Sequence, residues 1–361
     1  MVACLSPNGP TVYRAAAPPL RLYVGAQGGV SVLERAGPSS PWRVARRALA
    51  GRHVSAMMCD DAGTWVLAGI HDGGLEWSTD NGATWARRDA GVTVPHAFAL
   101  ARGQDDRFYL GTLPAALFKS RDRGASWAEI ASFRTVPGQE KWTFPGLPHE
   151  AHAKCVAIDP RDPALLYVAV EQGGLFRSRD GGESWRELDS YYRAGDKWYR
   201  DIHRLVIDAT DPRRLFMTTG MGLYRSDDGG ESWDHLTDTG FRIGYPDHLV
   251  ISPKDPRVIY MCGGSLDPTQ WRRSHRAEAT VMVSRDRGET WGECGAGLPD
   301  DRRANLEAMS IVHHGAGFTL FAGNTDGEVF SSEDEGAHWT RIAAGLSPIS
   351  KLGHYELVVP A

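Results

Sequence analysis

Apolar positions along this chain come in short runs separated by polar, glycine-rich turns, with no sustained helical period. One stretch shows the unit whole: HRLVID from His203, then RLFMTTG, GLYRS and SWDHL, each bounded by turn residues. Each run is rich in β-branched and aromatic residues and too short for a helix, so the pattern predicts four successive strands. The same order recurs along the chain. Read this way, seven inner strands begin near His53, His96, His152, His203, His248, Glu307 and His354.

One eight-residue pattern punctuates these units. It reads STDNGATW from Ser78, SRDRGASW from Ser120, SRDGGESW from Ser178, SDDGGESW from Ser226, SRDRGETW from Ser284 and SEDEGAHW from Ser332, at intervals of 42, 58, 48, 58 and 48 residues. A period near 50 is the mark of propeller blades or solenoid units. Asp and Ser oxygens can accept from turn amides, Gly supplies a positive φ, and Trp packs inward, so each box is a hairpin turn.

These motifs resemble the Asp-box of the BNR-repeat superfamily, which holds sialidases, sortilin-type receptors and photosystem II assembly factors, from about residue 20 to the end. The resemblance implies an all-β, seven-bladed β-propeller of four-stranded antiparallel blades, with the boxes on outer strands away from the ligand face. LRLYVG, GVSVL and WRVA supply the first blade with all but an inner strand, and the turn at 31–42 has lost the box. HYELVVP from His354 is a spare inner strand, so the ring is expected to be closed by the C-terminal strand, as one domain over 1–361 with about 20–359 in the ring.

Composition excludes several alternatives. Forty basic against 45 acidic residues give a net charge of −5, with no basic run to track a phosphate backbone, so nucleic acid is not expected as a partner. No basic n-region precedes an apolar stretch at the start, and no long apolar run follows, which predicts a cytoplasmic protein with no membrane partner. Five cysteines without a CxxC pair do not make a disulfide framework; small buried hydrophobes are expected.

Candidate chemistry concentrates where inner strands begin. Six of 13 histidines, His53, His96, His152, His203, His248 and His354, fall at strand starts, where uniform placement would put about 0.8. Converging imidazoles are satisfied together by a metal, so a transition metal ion (Fe, Cu or Zn) is expected at the axis, with His96, His203 and His354 first among its ligands. A hydrogen-bonded structural histidine is the alternative at each position. The long connections at 133–151, 191–201, 237–247 and 264–278 share that face. They offer Trp142, Tyr191, Tyr192, Trp198, Arg200, Tyr245, Trp271, Arg272 and His275, with His71 on the same side, as contacts to a small-molecule substrate; His149, Tyr199 and the strand-start Glu307 are catalytic candidates.

The sequence therefore predicts a metal-dependent enzyme, an oxygenase, oxidase, hydrolase or lyase. A non-catalytic ligand- or protein-binding propeller and a sialidase-like glycoside hydrolase are the alternatives. The sialidase reading is weakened by the nearest match to the Arg-Ile-Pro motif of that family, Arg242-Ile243-Gly244, which lacks the proline and lies mid-chain.

Overall fold

The computed structural model describes residues 2–146, 148–193, 200–237, 241–315 and 317–358. Seven sheets stand around a central axis. Blades 2 to 7 have the inner strands Val54–Cys59, His96–Arg102, His152–Ile158, Ile202–Ile207, Tyr245–Ile251 and Leu306–His314, each followed by three antiparallel strands towards the rim. Apolar clusters fill the spaces between neighbouring blades. One such cluster joins Ala153, Val168 and Phe176 of blade 4 to Ala101, Tyr109 and Leu117 of blade 3.

The boxes are built as their residue types require. Ser178 Oγ accepts from the Gly182 amide at 2.8 Å and donates to Asp180 Oδ1 at 2.7 Å. Asp180 in turn accepts from the Glu183 and Ser184 amides, and Gly182 takes φ 95°. The Ser-to-Gly amide bond recurs in the other five boxes. In SDDGGESW the working carboxylate is Asp228, while Asp227 pairs with Arg214. In blade 4, Ile158 pairs with Leu166 and Leu166 with Ser178, so the boxes share one face with the inner-strand ends, opposite the strand starts.

Closure of the ring differs from expectation. The inner strand of blade 1 is Val2–Leu5, paired parallel to Arg21–Ala26, and not the C-terminal segment. All four of its residues are buried. An innermost strand covered on both sides needs an unbroken apolar run. VACL meets that need; HYEL, carrying His354 and Glu356, does not, and residues 354–357 form a single helical turn.

After Leu5 the chain crosses the axis as Ser6–Pro10 and then adds Val12–Ala15 as an extra parallel strand inside blade 7. The crossing is tight. A Cβ on Gly9 would meet the Met57 carbonyl oxygen at 2.2 Å, so only glycine fits there. One N-terminal segment thus hydrogen-bonds to both sides of the seam.

Candidate functional site

Six inner strands carry the same irregularity. The pairing slips by one residue at Ser55, Phe98, Lys154, His203, Asp247 and Glu307, a β-bulge at one depth in blades 2 to 7. Two residues earlier stand His53, His96, His152, Asp201, Tyr245 and Asn305. With period-2 alternation both layers turn towards the axis. His203 and His96 therefore lie in different layers, and His354 lies on no inner strand.

The expected convergence on one metal does not form. His248 uses both nitrogens: Nε2 lies 2.5 Å from the Pro7 carbonyl oxygen, and Nδ1 accepts from the Met309 amide at 3.3 Å. His53 Nε2 faces the Ser350 carbonyl oxygen, and His96 Nδ1 the His71 carbonyl oxygen. His354 Nδ1 pairs with Glu307 at 3.0 Å, and His152 Nε2 lies 3.2 Å from Glu171. Among the described residues, two groups of three have ligand atoms mutually within 4.8 Å: His71, Asp72 and His96, and Glu171, Asp201 and His203. Neither unites His96, His203 and His354.

What fills the strand-start end of the axis is a buried acid–base cluster. Lys154 contacts Glu171, and Lys351 contacts Asp247. Asn305 donates to Asp247 at 2.6 Å and to Glu307 at 3.1 Å. Glu307 also accepts from Ser350 Oγ and the Lys351 amide. Burial would push the Glu171 carboxyl up, but Lys154 and His152 beside it hold it well below the usual range. Burial likewise opposes the Lys351 ammonium, yet Asp247, Glu307 and Glu171 keep it above its ordinary value.

Asp201 and His203 stand apart in this cluster. Burial, with Lys154 and Lys351 nearby, lowers the His203 pKa, so its imidazole is neutral at pH 7. His203 Nδ1–H donates to the Pro246 carbonyl oxygen at 2.7 Å, because a carbonyl can only accept. The lone pair of Nε2 then faces Asp201 Oδ2 at 3.6 Å, and the structure gives Nε2 no hydrogen-bond partner. At that distance no hydrogen bond joins the two, so the neutral imidazole presents a free lone pair to the carboxyl. The Tyr245 hydroxyl donates to the same Asp201 oxygen at 3.5 Å.

The other expected site residues are dispersed. His71 is packed between His53 and His96 with ring centroids 5.0 Å apart on each side, and burial with His53 beside it lowers its pKa to about 4. Tyr245 and Trp271 pack edge to face at 5.3 Å, with Trp271 against His354. Tyr191 lies in the core beside Tyr224 and Trp233, and Trp142 packs on Phe133 and Phe176. These are packing roles. Arg200 pairs with Glu187 at 2.7 Å, while His149, Tyr192 and Arg272 are exposed. His275 caps the helix Pro268–Ser274 at φ 55°. Trp198 and Tyr199 lie outside the described residues.

Sequence reasoning missed Lys154, Glu171, Asp201, Asp247, Asn305 and Lys351. A signal existed for four of them: His152-x-Lys154, Asp201-x-His203, Tyr245-x-Asp247 and Asn305-x-Glu307 all place polar or aromatic residues two apart at a strand start.

Comparison with known proteins fits this architecture. The family model described as sortilin, neurotensin receptor 3, matches residues 173–298. The solved GH74 xyloglucanase from Xanthomonas campestris superposes with a TM-score of 0.60 at 18% identity, covering 82% of this chain and 46% of that one. YCF48 bound to D1 peptide gives a TM-score of 0.57 at 15% identity, covering 91% of this chain and 95% of that one. These likenesses show the fold, and the partial family match adds to the six Asp-boxes set in seven blades. The chain is a BNR/Asp-box-like β-propeller.

Two curated relatives of this Asp-box propeller are xyloglucanases. Xgh74A of Acetivibrio thermocellus is 25% identical over 157 residues, 38% of this chain and 17% of its own length. The xyloglucanase of a Paenibacillus species is 28% identical over 228 residues, 56% of this chain and 22% of its own. The chain spans about a fifth of these relatives. They overturn the expectation of a metal-dependent oxygenase or oxidase, since the activity they carry in name is glycoside hydrolysis.

The buried carboxylates set a pH limit on the propeller. Burial alone would raise the Glu307 carboxyl, but His354 and Lys351 bring it down to about 2 from 4.5. A carboxyl depressed on folding stabilises above its unfolded pKa, and that stability is lost as pH falls towards the folded value. Between pH 5.5 and pH 3 the wild type should lose about 2 kcal/mol through this group. Urea unfolding of Glu307→Gln at both pH values should show that increment gone, on a lower baseline. An identical pH dependence in wild type and variant would exclude Glu307 as its source.

Proposed function

We propose that this propeller acts on β-glucans of the xyloglucan type as a glycoside hydrolase, with proton transfer at the Asp201–His203 pair. The observation that carries this reading is the pair of neighbouring carboxylates with unlike partners. Glu171 is held ionised by Lys154, whereas Asp201 faces the neutral imidazole of His203 at 3.6 Å and accepts from the Tyr245 hydroxyl. Hydrolysis of a glycosidic bond needs that division of labour: one carboxyl delivers a proton to the leaving oxygen, and one stays negative to assist water or stabilise the developing cation. Asp201 is the more open of the two, with 11% of its side chain exposed. The xyloglucanase relatives support the choice of substrate class.

A second reading has its own observation. YCF48 bound to D1 peptide matches this chain end to end, 91% against 95%, while the GH74 xyloglucanase structure is about twice as long. Peptide binding without catalysis is therefore the alternative. Incubation of the purified chain with xyloglucan, barley β-glucan and cellulose, followed by a reducing-end assay, separates the two. Release of reducing ends from xyloglucan above the other glucans is expected; no release from any of the three sinks the hydrolase reading.

A further inference from the structure

A large cavity lies on the axis beyond the acid–base cluster, with Lys154 of that cluster in its lining. It is a funnel of about 470 Å³ along the axis on the Asp-box side, within the size range of small-molecule pockets. Its wall is made by the inner-strand ends, including Ile158, Ile207 and Ile251, and its floor by the N-terminal crossing at Asn8–Pro10.

The floor holds a charge without a counter-ion. Arg204 is 8% exposed and lines the funnel. Its two terminal nitrogens donate to the Gly9 and Pro7 carbonyl oxygens, both at 3.2 Å, and its Nε has no partner. Among the described residues, no carboxylate lies within ion-pair distance of it. Asn8, 4% exposed, lines the same floor with its Nδ2 also unpartnered. A buried, uncompensated guanidinium is strongly unfavourable, and two orphaned donors on residues lining one cavity add to the cost. A planar carboxylate answers both, since it carries the missing charge and accepts from a guanidinium edge and an amide together.

The bulge explains how the donor reaches the axis. His203 occupies the extra position, so Arg204 follows it inwards and turns to the crossing segment below, while His203 turns to Asp201 above. Arg14 and Arg102 also line the funnel, balanced by Asp61 and Asp208, and Arg102 is paired with Asp106. The apolar wall, Tyr13, Met58 and Leu100 among it, would take a carbon skeleton.

We propose that this axial funnel binds a small organic carboxylate, with its anionic end on Arg204 and Asn8. The test is calorimetric titration and thermal unfolding of the intact chain with succinate, citrate, benzoate and glucuronate, against succinamide, benzamide and sodium chloride at matched ionic strength. At least one carboxylate should bind with a sub-millimolar Kd and raise the Tm, while its amide and chloride do neither. Arg204→Met should fold and bind at least tenfold more weakly, and Asn8→Ala should weaken binding by a smaller factor. No binding by any of the four carboxylates up to 10 mM overturns the proposal, as does equal binding of the amides or wild-type affinity in Arg204→Met. If Arg204→Met does not fold, Asn8→Ala decides, and an unchanged Kd in that variant overturns it.

Discussion

Deletion of residues 2–15 should abolish soluble expression, whereas truncation after Leu352 should leave a folded ring with a lowered Tm. The N-terminal segment supplies the inner strand of blade 1 and the extra strand of blade 7. It buries Val2, Cys4, Leu5 and Tyr13, all at most 3% exposed. At about 1.5–3 kcal/mol for each large apolar side chain, its loss removes more than about 5 kcal/mol, as much as the whole net stability of many domains. It also strips partners from Arg204, His248 and the Met57 amide. The C-terminal turn contributes less: Val358 is buried, and His354 pairs with Glu307. Expression and circular dichroism of the two truncations check this. A soluble, cooperatively melting protein without residues 2–15 would show that the ring closes some other way.

Asp201→Asn should lower xyloglucan hydrolysis by about 10³-fold while the Tm stays near wild type, since a positioned acid or base contributes about 10²–10⁴ in rate. Asparagine has the same shape and can still meet Tyr245 and His203, but it cannot hold or deliver the proton. The comparison that gives this meaning is Glu171→Gln, which leaves Lys154 buried without its counter-charge and should cost about 3–5 kcal/mol of stability. A fall in rate with an intact melt in Asp201→Asn, against a fall in both for Glu171→Gln, separates chemistry from scaffolding. An Asp201→Asn variant with wild-type turnover would remove Asp201 from the reaction and leave any hydrolysis to another site.

The repeat and the strand pattern were sufficient for the blades. Ser, Asp, Gly and Trp at fixed offsets specify a turn through local hydrogen bonds alone, as the bonds from the Gly182 amide to Ser178 and from the Ser184 amide to Asp180 show, so no distant contact is needed to read them. Starts near His53, His96, His152, His203, His248 and Glu307 each fall within a few residues of an observed inner strand. The excess of histidines there was real too, but its meaning was not local. The sequence sets His96 and His203 alike at strand starts, whereas the bulge at Phe98 puts His96 two residues above its bulge and the bulge at His203 is the histidine itself. A one-residue slip in a period-2 element changes which side chains meet.

Closure was decided by tertiary structure as well, because Val2–Leu5 carries no turn signal and becomes a strand only where blades 1, 2 and 7 bury it. The same holds for the acid–base cluster. Glu171, Asp201, Asp247 and Lys351 lie far apart along the chain, and only the folded ring places them together and withdraws them from water. Lys154, brought beside it by the ring, keeps Glu171 ionised against that withdrawal, while the withdrawal itself, with Lys154 and Lys351 nearby, keeps His203 neutral.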